Sequence, residues 1–233
     1  FVDLRDAGDP VALARAYDAQ GADELCFLDI TASHEGRGTM LDIVTRTAEA
    51  CFMPLTVGGG VRRVEDIREL LKAGADKVSI NSPALERPEL IGEMAARLGS
   101  QCVVVGVDSR LEDGEWVVHK YTGDPDTRRA AGRRTMDWIV EAQTLGAGEI
   151  VLNCIDQDGV RSGYDIAQLA EARARLTIPL IASGGAGSAQ HFLDVFRDAD
   201  VSGALAASVF HTGALTIPDL KTFLSDSGQE IRP

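Results

Sequence analysis

Carboxylates follow two of the apolar runs in this chain. Asp108 closes "QCVVVGVD" (101–108), and Asp156 and Asp158 come just after "EIVLNC" (149–154). A carboxylate at the end of a buried run is partly desolvated. Desolvation moves such groups toward the range where they trade protons near neutral pH. Acid–base work is the expectation for Asp108. All three have a second reading as a cap or loop salt bridge, which the long apolar run before Asp108 disfavours there; Asp158 precedes Gly159 and could be a turn residue, and Asp156 is the more ambiguous of the two. Asp29 in "LDITAS", with Thr31 and Ser33, also ends an apolar run, where a supporting hydrogen-bond role fits.

Two further runs end in glycines instead. "PLTVGGGV" spans 54–61 and "PLIASGGAG" spans 179–187, their prolines 125 positions apart. Without Cβ atoms a ligand can approach the backbone closely, and the amides that open the following helix favour an anion. Each glycine turn is followed by a serine-bearing strand end: Asn81-Ser82 in one case, Ala207-Ser208 in the other. One such turn could be a tight bend and nothing more. Two at a constant offset imply two anion sites and a ligand with a phosphate at each end.

Charges also stand where strands begin. "GADEL", "GADKV" and "GAGEI" place Glu24, Lys77 and Glu149 at equivalent points. Such charges are either simply solvated or joined in a salt-bridged ring, and the spacing leaves both open. The four histidines, His34, His119, His191 and His211, lack metal-ligand spacing, and no glycine fingerprint marks a nicotinamide cofactor. The chemistry expected is therefore acid–base catalysis on a phosphorylated metabolite, without metal or cofactor.

The elements that position these residues are legible as an alternation. Strand-length apolar runs lie at 24–30, 53–59, 77–82, 101–108, 149–154, 179–185 and 203–208. They are nearly continuous, as parallel strands covered on both faces should be. Helix patterns fall between them. In "VEDIRELLKAG" Val64, Ile67, Leu70 and Leu71 follow helical spacing, with Gly74 as the stop. Asp9-Pro10 reads as an N-cap with proline in the first turn. After Asp108, the pair Asp113-Gly114 signals a hairpin. The expectation there is a β-hairpin elaboration, followed by a polar, mobile segment at 123–134.

The alternation predicts a parallel sheet under helices. The offset recurs: "GADELCFLDI" and "GAGEIVLNCI" are also 125 apart. The reading is a (β/α)8 barrel of two half-barrels, about 1–100 and 101–233, forming one domain. Seven strands are visible. The repeat places the eighth ahead of Phe1, so the first strand is expected to be missing from this chain. An open seven-stranded α/β sheet is the alternative. In a barrel, the site lies at the C-terminal ends of the strands.

Composition narrows the class. The chain has 233 residues, 45% of them hydrophobic, and a formal charge of −13. So acidic a chain is a poor nucleic-acid binder. No run has the ~18 apolar residues of a membrane span, and no signal peptide is evident. Cys26, Cys51, Cys102 and Cys154 sit singly in or beside apolar runs, as reduced thiols of a cytoplasmic protein would.

"LDITAS", "TVGGGVR", "GADKVSINSPAL", "VVVGVDS", "GAGEIVLN", "DQDGVRSGYD", "PLIASGGAG" and "ALAASVFH" together resemble the cyclase-subunit family of imidazole glycerol phosphate synthase, along essentially the whole chain. The chain is also similar to the sibling isomerase of histidine biosynthesis, but "LDITAS" and "LAASVFH" favour the cyclase. A barrel that only binds phosphorylated ligands is the non-enzymatic alternative. The resemblance implies that ammonia converts a bis-phosphorylated phosphoribulosyl-formimino ribotide to imidazole glycerol phosphate and an aminoimidazole carboxamide ribotide. It implies Asp108 as one member of the acid–base pair and Asp158 as a second catalytic aspartate, with Ser183 a polar site residue. The other member of the pair, and a loop lysine, would precede Phe1, so a chain beginning there is expected to be inactive and poorly stable. The phosphate sites carry over to Gly60, Asn81 and Ser82 on one side. On the other they carry over to Gly159, Gly184, Gly185, Ala207 and Ser208. A glutaminase partner is implied on the strand-start face, with Asp76 on that face and Glu24, Lys77 and Glu149 as an ammonia gate. Asn153 and Gln157 depart from the threonine and arginine common in the family.

Overall fold

The computed structural model of the chain describes residues 8–28, 37–123 and 126–232; Asp29, Thr31, Ser33 and His34 lie outside them. The first half runs α1 (Pro10–Ala19), β1 (Leu25–Leu28), α2 (Arg37–Ala48), β2 (Leu55–Gly58), α3 (Val64–Ala73), β3 (Lys77–Ile80), α4 (Ser82–Glu86) and α5 (Glu89–Leu98). The second begins with β4 (Val103–Glu112), β5 (Glu115–Lys120), β6 (Arg129–Arg134) and α6 (Thr135–Leu145). It continues through β7 (Glu149–Cys154), α7 (Ile166–Arg175), β8 (Leu180–Ser183), α8 (Ala189–Ala199), β9 (Gly203–Leu205), α9 (Ser208–His211) and α10 (Ile217–Asp226).

All seven expected parallel strands form, in the order β1-β2-β3-β4-β7-β8-β9. The sheet curls into a (β/α)-barrel with the helices outside it. The outward faces carry the core. Val57, Val78, Val103, Val105, Ile150, Leu152 and Leu180 are fully or almost fully buried against Ile67, Leu90, Ile91, Met94, Trp138, Ile139 and Leu169 of the helices. The inward faces follow the two-residue strand period. Glu24, Cys26 and Leu28 on the first strand, Ser79 and Asn81 on the third, and Gly106 and Asp108 on the fourth line one cavity with Glu149, Val151 and Asn153.

Helix ends follow the sequence signals. The Asp9 carboxylate accepts from the Val11 amide at 3.3 Å, and Pro10 opens α1. Gly74 and Gly146 close α3 and α6 at φ 112° and 113°, a backbone that glycine adopts without a Cβ clash. The two flanks of the sheet are joined through the helix layer. Tyr17 Oη bonds His211 Nδ1, and Lys221 Nζ meets Asp23 Oδ1 at 2.9 Å. The Ile217 amide reaches Gln20 Oε1 at 3.5 Å.

The elaboration after Asp108 is a hairpin, and it is longer than the sequence suggested. β4 leaves the parallel sheet and pairs antiparallel with β5, turning at Asp113 and Gly114. Both turn residues have positive φ, 49° and 83°, as a tight two-residue hairpin turn requires. The segment expected to be mobile contains an ordered strand: β6 pairs with β5 through Arg134, Ala130 and Arg129. Its polarity concealed it. β6 is held by the open edge of β5, by the Arg133 guanidinium 4.8 Å from the Trp138 ring and by an Arg134–Glu115 ion pair at 2.7 Å.

Candidate functional site

A cavity of ≈ 3380 Å³ runs through the inside of the curled sheet, from Glu24 and Glu149 at the strand starts to the C-terminal ends of the strands. Asp108, Asp158, Gly60, Asn81, Ser82, Gly159, Ser183, Gly184, Gly185, Ala207 and Ser208 all line it. Every catalytic and phosphate-site residue expected from the sequence therefore faces one space.

Asp108 is the focus, with only 7% of its surface exposed. Asn81 Nδ2 donates to its Oδ2 at 2.6 Å and Asn153 Nδ2 to its Oδ1 at 2.8 Å. The Thr122 hydroxyl also donates to Oδ2. All three bonds are accepted by the carboxylate. Asn153 in turn accepts from Ser183 Oγ at 3.2 Å, which orients its amide. Neither Asn81 nor Asn153 was expected to hold Asp108: Asn81 was assigned to a phosphate, and Asn153 was only a departure from the family pattern. Thr122 was missed altogether.

Asp158 follows β7 and stands at the rim. Removal of water by the surrounding protein is the main influence that holds its carboxyl above the ordinary aspartate value, and the charge of Asp108 acts in the same direction. Asp156, two residues earlier, is structural. Its carboxylate accepts from Arg110 Nε and from the Leu111 amide, both at 3.0 Å, and so ties the β7 loop to the hairpin.

The first glycine turn has Gly59 and Gly60 at φ 99° and 65°. The amides of Arg62 and Arg63 are already taken, each bonded at 3.0 Å to the buried Asp66 carboxylate. The start of α3 thus carries its own internal anion. An anion at this turn would meet the glycine backbone, with Asn81 and Ser82 lining the same cavity. In the second half, Gly184 and Gly185 have φ 89° and 112°. A Cβ on Gly185 would lie 2.0 Å from the Gly163 carbonyl oxygen, and the Gly163 amide donates to the Gly185 carbonyl at 2.9 Å. These glycines serve packing of the β7 and β8 loops as well as access. Gly159 has open space where a Cβ would be. Arg62, Arg128 and Arg161 line the same cavity.

At the opposite end, Lys77 Nζ bonds both oxygens of Glu24, at 3.0 and 2.9 Å, and Glu149 Oε2 at 2.8 Å. Of the two readings, the salt-bridged cluster is the one that forms. Desolvation opposes the Lys77 charge, yet its two carboxylate partners outweigh it and raise the ammonium's pKa. Glu149 is raised as well, because burial costs its charge more than Lys77 returns. Asp76 accepts from the Leu55 amide at 2.8 Å, pinning the start of β2. Beside it a small pocket of ≈ 250 Å³ is bordered by Cys51, Met53 and Phe52, the last 95% exposed.

All four cysteines are free thiols. Burial raises Cys26 to about 12, and Cys154 Sγ donates to Gln168 Oε1 at 2.9 Å. Among the described residues, no group of three or more His, Cys, Asp or Glu side chains could hold a metal ion.

Fold and site together define a class: a (β/α)-barrel with a buried carboxylate and two glycine turns lining one cavity. The family model described as "Histidine biosynthesis protein" matches residues 1–216. Imidazole glycerol phosphate synthase subunit HisF of Xanthomonas euvesicatoria pv. vesicatoria is 61% identical over 233 residues, covering 100% of this chain and 90% of the relative. The subunit of the same name from Xylella fastidiosa (strain M12) is 59% identical, covering 100% and 91%. The chain belongs to the histidine biosynthesis protein family.

Proposed function

We propose that the chain is the cyclase subunit of imidazole glycerol phosphate synthase. It uses ammonia to convert a bis-phosphorylated phosphoribulosyl-formimino ribotide to imidazole glycerol phosphate and an aminoimidazole carboxamide ribotide. The observation that carries this reading is the position of Asp108: buried, held by three donors, and set in one cavity with both glycine turns. Full-length relatives bearing the synthase-subunit name support the same assignment.

The residues divide the work. Gly60 with Asn81 and Ser82 would hold one phosphate. Gly159, Gly184, Gly185, Ala207 and Ser208 would hold the other, with Ser183 beside them. Two anchored ends fix the reacting centre between them, and fixed geometry is itself a large part of rate enhancement. Asp108 takes a proton from the incoming nitrogen as its bond to carbon forms. Asp158, in the same cavity, is the second carboxylate placed to exchange a proton with the departing amine.

A glutaminase partner would dock on the strand-start face and supply the ammonia. The relatives' subunit names support an assembly with another chain. Phe52, an almost fully exposed aromatic beside Asp76, fits a surface that a partner covers. Glu24 and Glu149 line the same cavity as Asp108, so the Glu24–Lys77–Glu149 cluster would gate passage from that face to the site. Among the described residues no helix is long and apolar enough to cross a membrane. With its free thiols the chain fits a cytoplasmic setting.

The test is turnover of the bis-phosphorylated ribotide with ammonium salts by the protein carrying the strand expected ahead of Phe1, followed by product absorbance. Asp108→Asn should cost roughly 10²–10⁴-fold in kcat, the usual contribution of one acid–base group. Unchanged turnover in a folded Asp108→Asn protein would overturn the assignment.

A further inference from the structure

Two pairs of consecutive residues meet at the mouth. Asn81 links β3 to α4, which Ser82 opens, and Tyr121 and Thr122 follow the end of β5. Asn81 bonds Asp108 Oδ2 at 2.6 Å, and the Thr122 hydroxyl bonds the same oxygen. The Tyr121 amide donates to Ser82 Oγ at 3.0 Å. The bonds close a circuit: Ser82 to Tyr121, along the chain to Thr122, across to Asp108, back through Asn81 to Ser82.

Tyr121 is held in place for this. Its φ of 56° lies in the left-handed region, where a non-glycine residue stays only when its surroundings fix it. Those surroundings are specific. The phenol donates to Glu86 Oε1 on α4, the Arg129 guanidinium lies 5.0 Å from the ring centre, and Thr127 Oγ1 donates to the Tyr121 carbonyl at 3.2 Å. Lys120 Nζ adds a 3.7 Å contact to the same Glu86.

The Ser82 hydroxyl accepts from Tyr121, so its own hydrogen is left to donate elsewhere, and the cavity is what it faces. We propose that Tyr121 and Thr122 are positioning residues that couple phosphate at the first glycine turn to the orientation of Asp108. Tyr121 presents Ser82 as a donor to a phosphate oxygen, and Thr122 sets the carboxylate. Because the two are adjacent, an anion that tightens one tightens the other. This rests on the cyclase reading for its rate predictions and is independent of it for its binding predictions.

Two measurements decide it. In ammonium-dependent turnover, Thr122→Val should lower kcat about tenfold with KM little changed, the effect of one lost hydrogen bond to a carboxylate. Thr122→Ser, which keeps the hydroxyl, should restore it. Tyr121→Phe, which keeps the amide but frees the ring from Glu86, should raise KM and lower kcat together. In the second measurement, inorganic phosphate is titrated into the intact chain while exchange of the Tyr121 amide is followed by NMR. Exchange should slow on saturation, and Ser82→Ala should abolish that slowing. Parent-like kcat in Thr122→Val, or a Thr122→Ser protein as slow as the valine variant, would overturn the Thr122 role. Phosphate binding that leaves the Tyr121 amide unchanged would overturn the coupling. Were the parent, carrying the strand expected ahead of Phe1, to show no turnover while phosphate still slowed the Tyr121 amide, the cyclase reading would fail and the coupling would stand.

Discussion

Each carboxylate oxygen offers about two acceptor positions. At Asp108, Oδ2 receives both Asn81 and Thr122, while among the described residues Oδ1 receives only Asn153. On the proposed mechanism, the second acceptor position of Oδ1 would take the incoming proton. Asn153→Val should then do two things: remove a donor to a charged group, at about 1.5–3 kcal/mol of stability, and release Ser183. Denaturant unfolding of the variant measures the first. Asn153→Thr keeps a donor and should lose less. Asp158 gives a pH test with a definite sign. Its folded pKa lies above the ordinary 3.8, so ionising it disfavours the fold as pH rises. Asp158→Asn should melt higher than the parent at pH 7, and the difference should vanish as pH falls below the ordinary value. A gap that widens toward acid would mean the carboxylate is stabilised in the fold instead.

At the scale of elements, the parallel strands were legible as unbroken apolar runs, most plainly where the residues are fully buried, as from Val103 to Val105; β1 and β9, only partly buried, carry the same pattern. β6 was not, because "RAAGRR" has no apolar alternation and exists through the edge it pairs with. Thr122 shows a different gap. The turn at Asp113-Gly114 was read correctly, and counting back from it puts His119 opposite Asp108, as found. Three more residues reach Thr122, so its position was available to counting. Its bond to Asp108 was not, since side-chain direction past a strand end depends on the strained Tyr121 backbone. The glycine turns were legible as motifs, but the anion already installed at the start of α3, Asp66, was hidden in an ordinary helix pattern. Gly185→Ala tests the second turn. A Cβ that close to the Gly163 oxygen, at positive φ, should cost at least ~1–3 kcal/mol and weaken phosphate on that side while leaving the first cradle intact. Thermal melts and phosphate titration separate the two effects.

For the molecule as a whole, the cluster at the strand-start end matters because one cation serves two acids. Lys77→Met would leave Glu24 and Glu149 facing each other without it. A fully buried charge left unpaired costs about 3–5 kcal/mol; with Glu24 half exposed, ~2–3 kcal/mol is expected here. At roughly 2–4 °C per kcal/mol for a chain of this size, the melting temperature should fall by about 5–10 °C at neutral pH. Glu149 already titrates above 4.5, and loss of Lys77 moves it further up, so protonation relieves the variant as pH falls. The parent–variant gap should therefore narrow in acid. The helix-layer contacts of Tyr17 with His211 and of Asp23 with Lys221 carry another consequence. They bring α1 and the loop after it against α9 and α10, although the bonded partners are 194 and 198 positions apart in sequence. Bonds of such long loop closure form only once most of the chain has folded. Tyr17→Phe or Asp23→Asn should therefore speed unfolding more than it slows refolding, which the two arms of a chevron plot would separate.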